Sequence, residues 1–223
     1  MNKRGSHVEV IVSFIIFVTF VLFLLTILGP SINTQNDKKN IFDGIEIGII
    51  DRISSNMTVI ALNFNDQVSS CVDLSVLGIG NNIIVKDQSG AKVTSSADQN
   101  SLQITKGNPS DTFFKIYYSE EFDGLTGSGC SPGSYEIGLD KTSTYIFEKK
   151  FLDLMNRDYA TLRSEIKAPQ GVEFGYGMTL SNGTIFETPM DEVSTNVYIR
   201  ETPIEYVDLD GNIMEGYLRT TIW

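Results

Sequence analysis

Side chains capable of covalent chemistry are scarce in this chain. It has one histidine, His7, and two cysteines, Cys71 and Cys130. His7 precedes a long apolar run and is remote in sequence from every carboxylate of residues 41–223. A Ser-His-Asp triad or a histidine-based zinc site in that region is excluded. If the cysteines pair, no thiol nucleophile remains. The loop "GSGCSPG" lacks the Lys-Ser/Thr that a phosphate-binding loop needs. "DLDGN", Asp208–Asn212, lacks the alternating oxygen ligands and terminal glutamate of an EF-hand and reads as a hairpin turn. Glu120, Glu121 and Asp123 read as a solvated acidic face, without the paired-carboxylate signature of a glycosidase. The neighbouring Tyr117 and Tyr118 could stack on surface glycans, yet adjacent strand residues point to opposite faces, which puts at least one in the core. The expectation is a protein that is not an enzyme and needs no metal or cofactor.

The elements that carry these residues start with a membrane segment. From Val10 to Leu28 only Ser13, Thr19 and Thr26 are polar. Such a run spans roughly 28 Å as a helix, the thickness of a bilayer's hydrocarbon core. It is too long for a secretory h-region, and Gly29-Pro30 follows it in place of a small-x-small cleavage site. Lys3 and Arg4 precede it, so the positive-inside bias predicts a cytoplasmic amino terminus and an extracellular carboxy-terminal domain. Residues 1–40 carry a net +2 against −11 for the whole chain, which leaves −13 on residues 41–223. A surface that acidic repels nucleic acid and anionic lipid headgroups. Membrane lipid is an expected partner of the helix, and nucleic acid is not a partner.

On an outer, oxidising face, Cys71 and Cys130 are expected to pair; two separate buried thiols are the alternative. Asn56 in "NMT" and Asn182 in "NGT" are glycosylation sequons, which also suit an outer face.

Beyond Pro30 and "SINTQNDKKN", which should interrupt or end the membrane helix, Ile41, Ile45, Ile49 and Ile53 recur at four-residue steps, one face of a helical stalk. Gly44 and Gly48 weaken its propensity, so packing against the following domain must hold it. "MTVIALNF", "SCVDLSV", "NIIVKD", "AKVTSS", "SLQITK" and "TFFKIYY" read as strands, with "DQSG" as a turn and "GLTGSGCSPG" as a loop. One amphipathic helix is predicted over Phe147–Lys167, ended by Pro169. Two hairpins follow, turned by Asn182-Gly183 and Asp210-Gly211.

The amino terminus carries a family resemblance. "KRG" followed by "SHVEV" and a long apolar helix resembles the class III signal of archaeal type IV pilin-like surface proteins. The stretches "DYATLRSEIKAPQGVEFGYGMTL" and "VYIRETPIEYVDLDGNIMEGYLRTTIW" look like pilin-like surface proteins of small-genome archaea. The resemblance implies that a membrane-embedded prepilin peptidase cuts between Gly5 and Ser6. It further implies that Glu9 helps dock the subunit and that the partners are other pilin-like subunits. Cleavage there puts Glu9 fourth in the mature chain, where the family usually has glutamate fifth; cleavage after Arg4 would restore the count. The new α-ammonium at Ser6 could pair with a neighbour's Glu9, offsetting both desolvation costs. A plain signal anchor with Glu9 snorkelling to the interface is the other reading.

The expected fold is α+β. Residues 1–5 form the leader, 6–29 the transmembrane or filament-core helix, 30–55 a linker and helical stalk, and 56–223 an antiparallel β-rich extracytoplasmic head with one amphipathic helix.

Overall fold

The computed structural model describes residues 5–64, 71–75, 80–97, 101–108, 110–125, 130, 134–189 and 196–223. Its first element, α1 (Gly5–Ile53), is one helix of 49 residues, roughly 74 Å long. The break expected at Pro30 does not occur. A proline deletes only its own N–H, here the bond to the Thr26 carbonyl, and the turns on either side keep theirs. The apolar segment and the stalk are therefore a single rod.

Strands β1 (Ser54–Phe64), β2 (Cys71–Ser75), β3 (Ile83–Asp87), β4 (Ser95–Ala97), β5 (Ser101–Thr105) and β6 (Phe113–Tyr118) follow near the predicted runs, except that β1 starts inside the expected stalk and β4 overlaps only the end of "AKVTSS". Then come β7 (Tyr135–Phe147), α2 (Glu148–Met155), α3 (Tyr159–Glu165), β8 (Phe174–Thr179), β9 (Ile185–Glu187), β10 (Tyr198–Val207) and β11 (Ile213–Ile222). Among the described residues, eight strands form one sheet in the order β3-β6-β1-β7-β10-β11-β8-β9, and three form a second, β2-β5-β4. Neighbours pair antiparallel except at the seam between β7 and β10. There the pairing is parallel and only two residues long, Tyr206 with Ile146 and Val207 with Phe147.

That seam divides the sheet into halves, each with its own main core. On one half, the inward face of β3-β6-β1 packs on the small sheet, burying Ile60, Leu62, Phe64, Val72, Leu74, Ile104, Phe114 and Ile116. On the opposite face a smaller cluster joins Met57, Ile84 and Phe122 to Phe147 of β7 and Val207 of β10, across the seam. The β10-β11-β8-β9 half is covered by the carboxy-terminal part of α1 together with α2 and α3. Phe42, Ile45, Ile49 and Ile53 there meet Phe151, Leu154, Leu162, Phe174, Tyr176 and Tyr206. The four-residue isoleucine spacing is thus the stripe that enters the core, with Ile41 only partly covered.

Two further features depart from the sequence reading. The helix expected over Phe147–Lys167 is two helices. Asn156 caps the end of α2, and the Asp158 side chain starts α3 by accepting from the Thr161 N–H and hydroxyl, each at 2.9 Å. Phe147 belongs to β7. That strand was not foreseen, because residues 136–142 are exposed on both faces and so show no apolar alternation.

Candidate functional site

The first functional element is the amino-terminal half of α1. Val8–Thr26 is a 19-residue span long and apolar enough to cross a membrane, and none of it is buried against the rest of the chain. Val10, Ile11, Phe14, Ile15, Phe17, Phe20 and Phe23 are all exposed, so the helix is apolar around its circumference. The Thr19 and Thr26 hydroxyls donate back to carbonyls three and four residues earlier, Thr19 to Ile15 and Ile16 at 2.9 Å. These two hydroxyls therefore need no partner from water. Glu9 lies in the first turns of this span with its side chain exposed, and nothing among the described residues partners it. Gly5 is the first residue of the helix and Ser6 the second, so the Gly5–Ser6 bond is part of α1.

The second element is the joint between rod and head. Arg52 Nη1 lies 2.7 Å from Glu165 Oε2, and Arg52 Nη2 donates to the Glu165 carbonyl at 3.2 Å. Arg200 on β10 pairs with Asp43 and, at 3.5 Å, with Glu46 on successive turns of α1, while its guanidinium stacks 4.7 Å above the Phe42 ring. Lys150 donates to the Ser54 carbonyl at 2.8 Å, placing a cation at the helix's negative end. A Cβ added to Gly48 would meet Ile166 Cβ at 2.8 Å, so this glycine permits the closest approach of the rod to the turn after α3. Apolar burial on one side and ion pairs on the other fix the rod's direction relative to the head.

Cys71 and Cys130 are joined, with Cα atoms 5.6 Å apart. The bridge ties the first residue of β2 to the glycine-rich connection before β7. The two sequons differ in setting. Asn182 is exposed in the β8–β9 turn, where its Oδ1 accepts from the Thr184 N–H at 2.9 Å. Asn56 is exposed on β1, but its Oδ1 accepts from the Thr144 hydroxyl across the strand pair at 2.9 Å.

The residues considered for sugar stacking do not form a platform. Tyr117 packs against the small Phe122–Phe147 cluster and Tyr118 against the opposite core, each half-buried. In the acidic cluster Asp123 meets Lys149 at 2.9 Å and Glu121 meets Lys150 at 3.6 Å, so two of its carboxylates are spent on α2. The aromatic concavity of the head lies elsewhere. A cleft of about 490 Å³ is lined by Tyr159, Phe174, Tyr176, Trp223, Arg157 and Glu173, among others. Glu173 there accepts from the Tyr159 hydroxyl at 2.6 Å and pairs with Arg163, and these donors hold its carboxyl below the usual range. Burial pushes the Tyr176 phenol up to about 12, and it donates to the Leu154 carbonyl at 3.0 Å. None of these groups is poised as a nucleophile or a base.

Sequence reasoning passed over Lys86. It looks like an ordinary surface residue of a short strand, yet it is 4% exposed. Alternation on β3 sends Ile83 and Val85 into the inter-sheet core and Ile84 and Lys86 to the other face, under the β10–β11 turn. The signal available was the strand's own run "IIVK", in which the period of two already puts Lys86 beside Ile84. Among the described residues no group of three or more His, Cys, Asp or Glu side chains is arranged to hold a metal ion.

Compared with known proteins, the chain matches no family model, no curated protein and no solved structure.

Proposed function

We propose that this chain is a membrane-anchored, pilin-like structural subunit of a type IV pilus-like surface filament. Its amino terminus is cytoplasmic, its head extracellular, and residues 1–5 are a leader cut by a prepilin peptidase. The observation that carries this reading is the continuity of α1. An exposed apolar span, Val8–Thr26, and a buried stripe in the head, Ile45, Ile49 and Ile53, belong to one helix. Subunits that assemble through their apolar helices need heads held at a fixed angle to those helices. A simple anchor has no such need, since a flexible tether would serve it. Glu9 adds support: a carboxylate inside an apolar span with no partner among the described residues is costly unless an ammonium comes to it, and a neighbour's new terminus at Ser6 has that charge.

A second reading, a single-pass extracellular binding protein that does not polymerise, is favoured by the aromatic cleft around Tyr159, Phe174 and Trp223. Amino-terminal sequencing of the protein from its native host separates the two. A chain starting at Ser6 is the expected result, and an intact Met1 supports the plain anchor.

A further inference from the structure

The β10–β11 turn brings three reactive groups together. Lys86 Nζ on β3 donates to Asn212 Oδ1 at 2.6 Å and to the Gly211 carbonyl at 2.8 Å. On the other side of the same amide, Asn212 Nδ2 donates to Asp208 Oδ2 at 2.8 Å. The amide's orientation is fixed by charge, since its oxygen faces the ammonium and its nitrogen faces the carboxylate. Asp208 is itself held by the Asp210 and Asn212 N–H groups, which donate to Oδ1 at 2.9 and 2.7 Å. The Tyr117 ring lies 5.0 Å from Lys86 Nζ, and Phe122 packs edge-on against Phe147 in the same cluster. A lysine buried against an aromatic cluster, beside a half-buried asparagine amide and a half-buried carboxylate, supplies the components of an amide-exchange reaction.

We propose that Lys86 and Asn212 become joined by an intramolecular isopeptide bond, with Asp208 relaying the protons. Nζ attacks the Asn212 side-chain carbon; the new Nζ–Cγ bond forms and the Cγ–Nδ2 bond breaks. Starting from the ammonium, Nζ loses two protons and the departing nitrogen gains two, delivered by Asp208, whose Oδ2 already accepts from that nitrogen at 2.8 Å; it leaves as ammonium, so atoms and charge balance and no oxidant or cofactor is needed. The carbon lies one carbonyl bond, about 1.2 Å, beyond the oxygen that Nζ already touches. Attack requires Nζ to pass from that oxygen to the face of the amide carbon, which turning the Asn212 side chain about its χ angles provides. Burial lowers the pKa of Lys86 and so raises the fraction of neutral, nucleophilic amine. Holding amine and amide together in one enclosure replaces a bimolecular encounter, and loss of ammonia to bulk water makes the step irreversible.

The position of the bond gives it a mechanical consequence. As paired strands, the two halves of the large sheet meet only at the two-residue parallel seam between β7 and β10. Lys86 belongs to the outermost strand of one half, and Asn212 to the hairpin that begins the other. A covalent link between them ties the halves together without passing through the seam.

The test is the intact mass of the full-length protein, purified in detergent and reduced to open the Cys71–Cys130 bridge. The expected mass is one ammonia below that of the polypeptide, with proteolysis yielding one species that contains both the Lys86 and the Asn212 peptides. That species also excludes ammonia loss by cyclisation at Asn182-Gly183. Lys86→Arg and Asn212→Ala should each restore the full mass. Asp208→Asn keeps the acceptor for the turn's N–H groups and should leave most of the protein unlinked. Wild-type protein of full mass with separate Lys86 and Asn212 peptides overturns the proposal; a fully linked Asp208→Asn variant overturns the role given to Asp208.

Discussion

A Cβ placed on Gly48 would sit 2.8 Å from the Cβ of Ile166, so rod and head touch where a hydrogen atom is all the space allows. Four residues earlier, Gly44 has no atom within 4 Å of the same hypothetical Cβ. Both glycines carry the same helical penalty, about 1 kcal/mol relative to alanine. Gly44→Ala should therefore stabilise the protein by up to about 1 kcal/mol. Gly48→Ala should lose about 1–3 kcal/mol to overpacking, less what the helix gains. Thermal unfolding of both variants in detergent checks this; equal shifts of the same sign would mean that the rod is not seated against Ile166.

The Cys71–Cys130 bridge closes a sequence separation of 59 residues around the small sheet. Chain entropy alone predicts that Cys71→Ser with Cys130→Ser costs about 4 kcal/mol. The loss should appear as a lower denaturation midpoint of the head, with the small sheet exchanging its amide hydrogens first, because β2 and β5 depend on it most directly. Unchanged stability after reduction would show that the bridge contributes nothing to the folded head.

Much of this architecture was legible in the sequence, and the misses have physical causes. The isoleucine spacing from Ile41 to Ile53 marks the buried face of the rod, because burial on one side of a helix leaves a period. Asn182-Gly183 and Asp210-Gly211 gave their hairpins through turn chemistry, with Gly183 and Gly211 both at positive φ. Pro30 misled because proline's cost is local, and a long helix can absorb one lost bond. The break between α2 and α3 turns on Asp158, an N-cap inside a stretch whose apolar spacing continues across it. The Lys86–Asn212–Asp208 cluster could not be read at all: its members are 126 positions apart at the widest, and only the folded turn brings them together.

Glu148 offers a test by pH. It is 9% exposed at the start of α2, and burial, followed by the nearby Asp208 charge, raises its pKa above the ordinary value of 4.5. Its place in the first turn of a helix favours the anion, but desolvation outweighs that. The folded state then binds more protons than the unfolded one just above the ordinary value. Glu148 consequently costs stability near neutral pH, and the cost is relieved as pH falls through the raised pKa toward 4.5. Glu148→Gln should unfold at a higher denaturant concentration than wild type at neutral pH, with the difference shrinking as pH falls. A difference that grows toward acid would reverse the assignment.

The subunit reading is tested most directly at Glu9, exposed in the Val8–Thr26 span and without a partner among the described residues. If it pairs with a neighbour's α-ammonium, Glu9→Gln leaves that ammonium without its partner, at a cost of about 3–5 kcal/mol where the pair is buried. Membrane insertion should be unaffected, because the apolar span is intact and glutamine is cheaper than glutamate in lipid. The deciding measurement is the amount of sheared surface filament, against the amount of membrane-bound subunit, for wild type and Glu9→Gln in the native host. The account predicts filament from wild type, and for the variant a loss of filament at unchanged membrane levels. No filament from wild type, or equal filament from both, would contradict it.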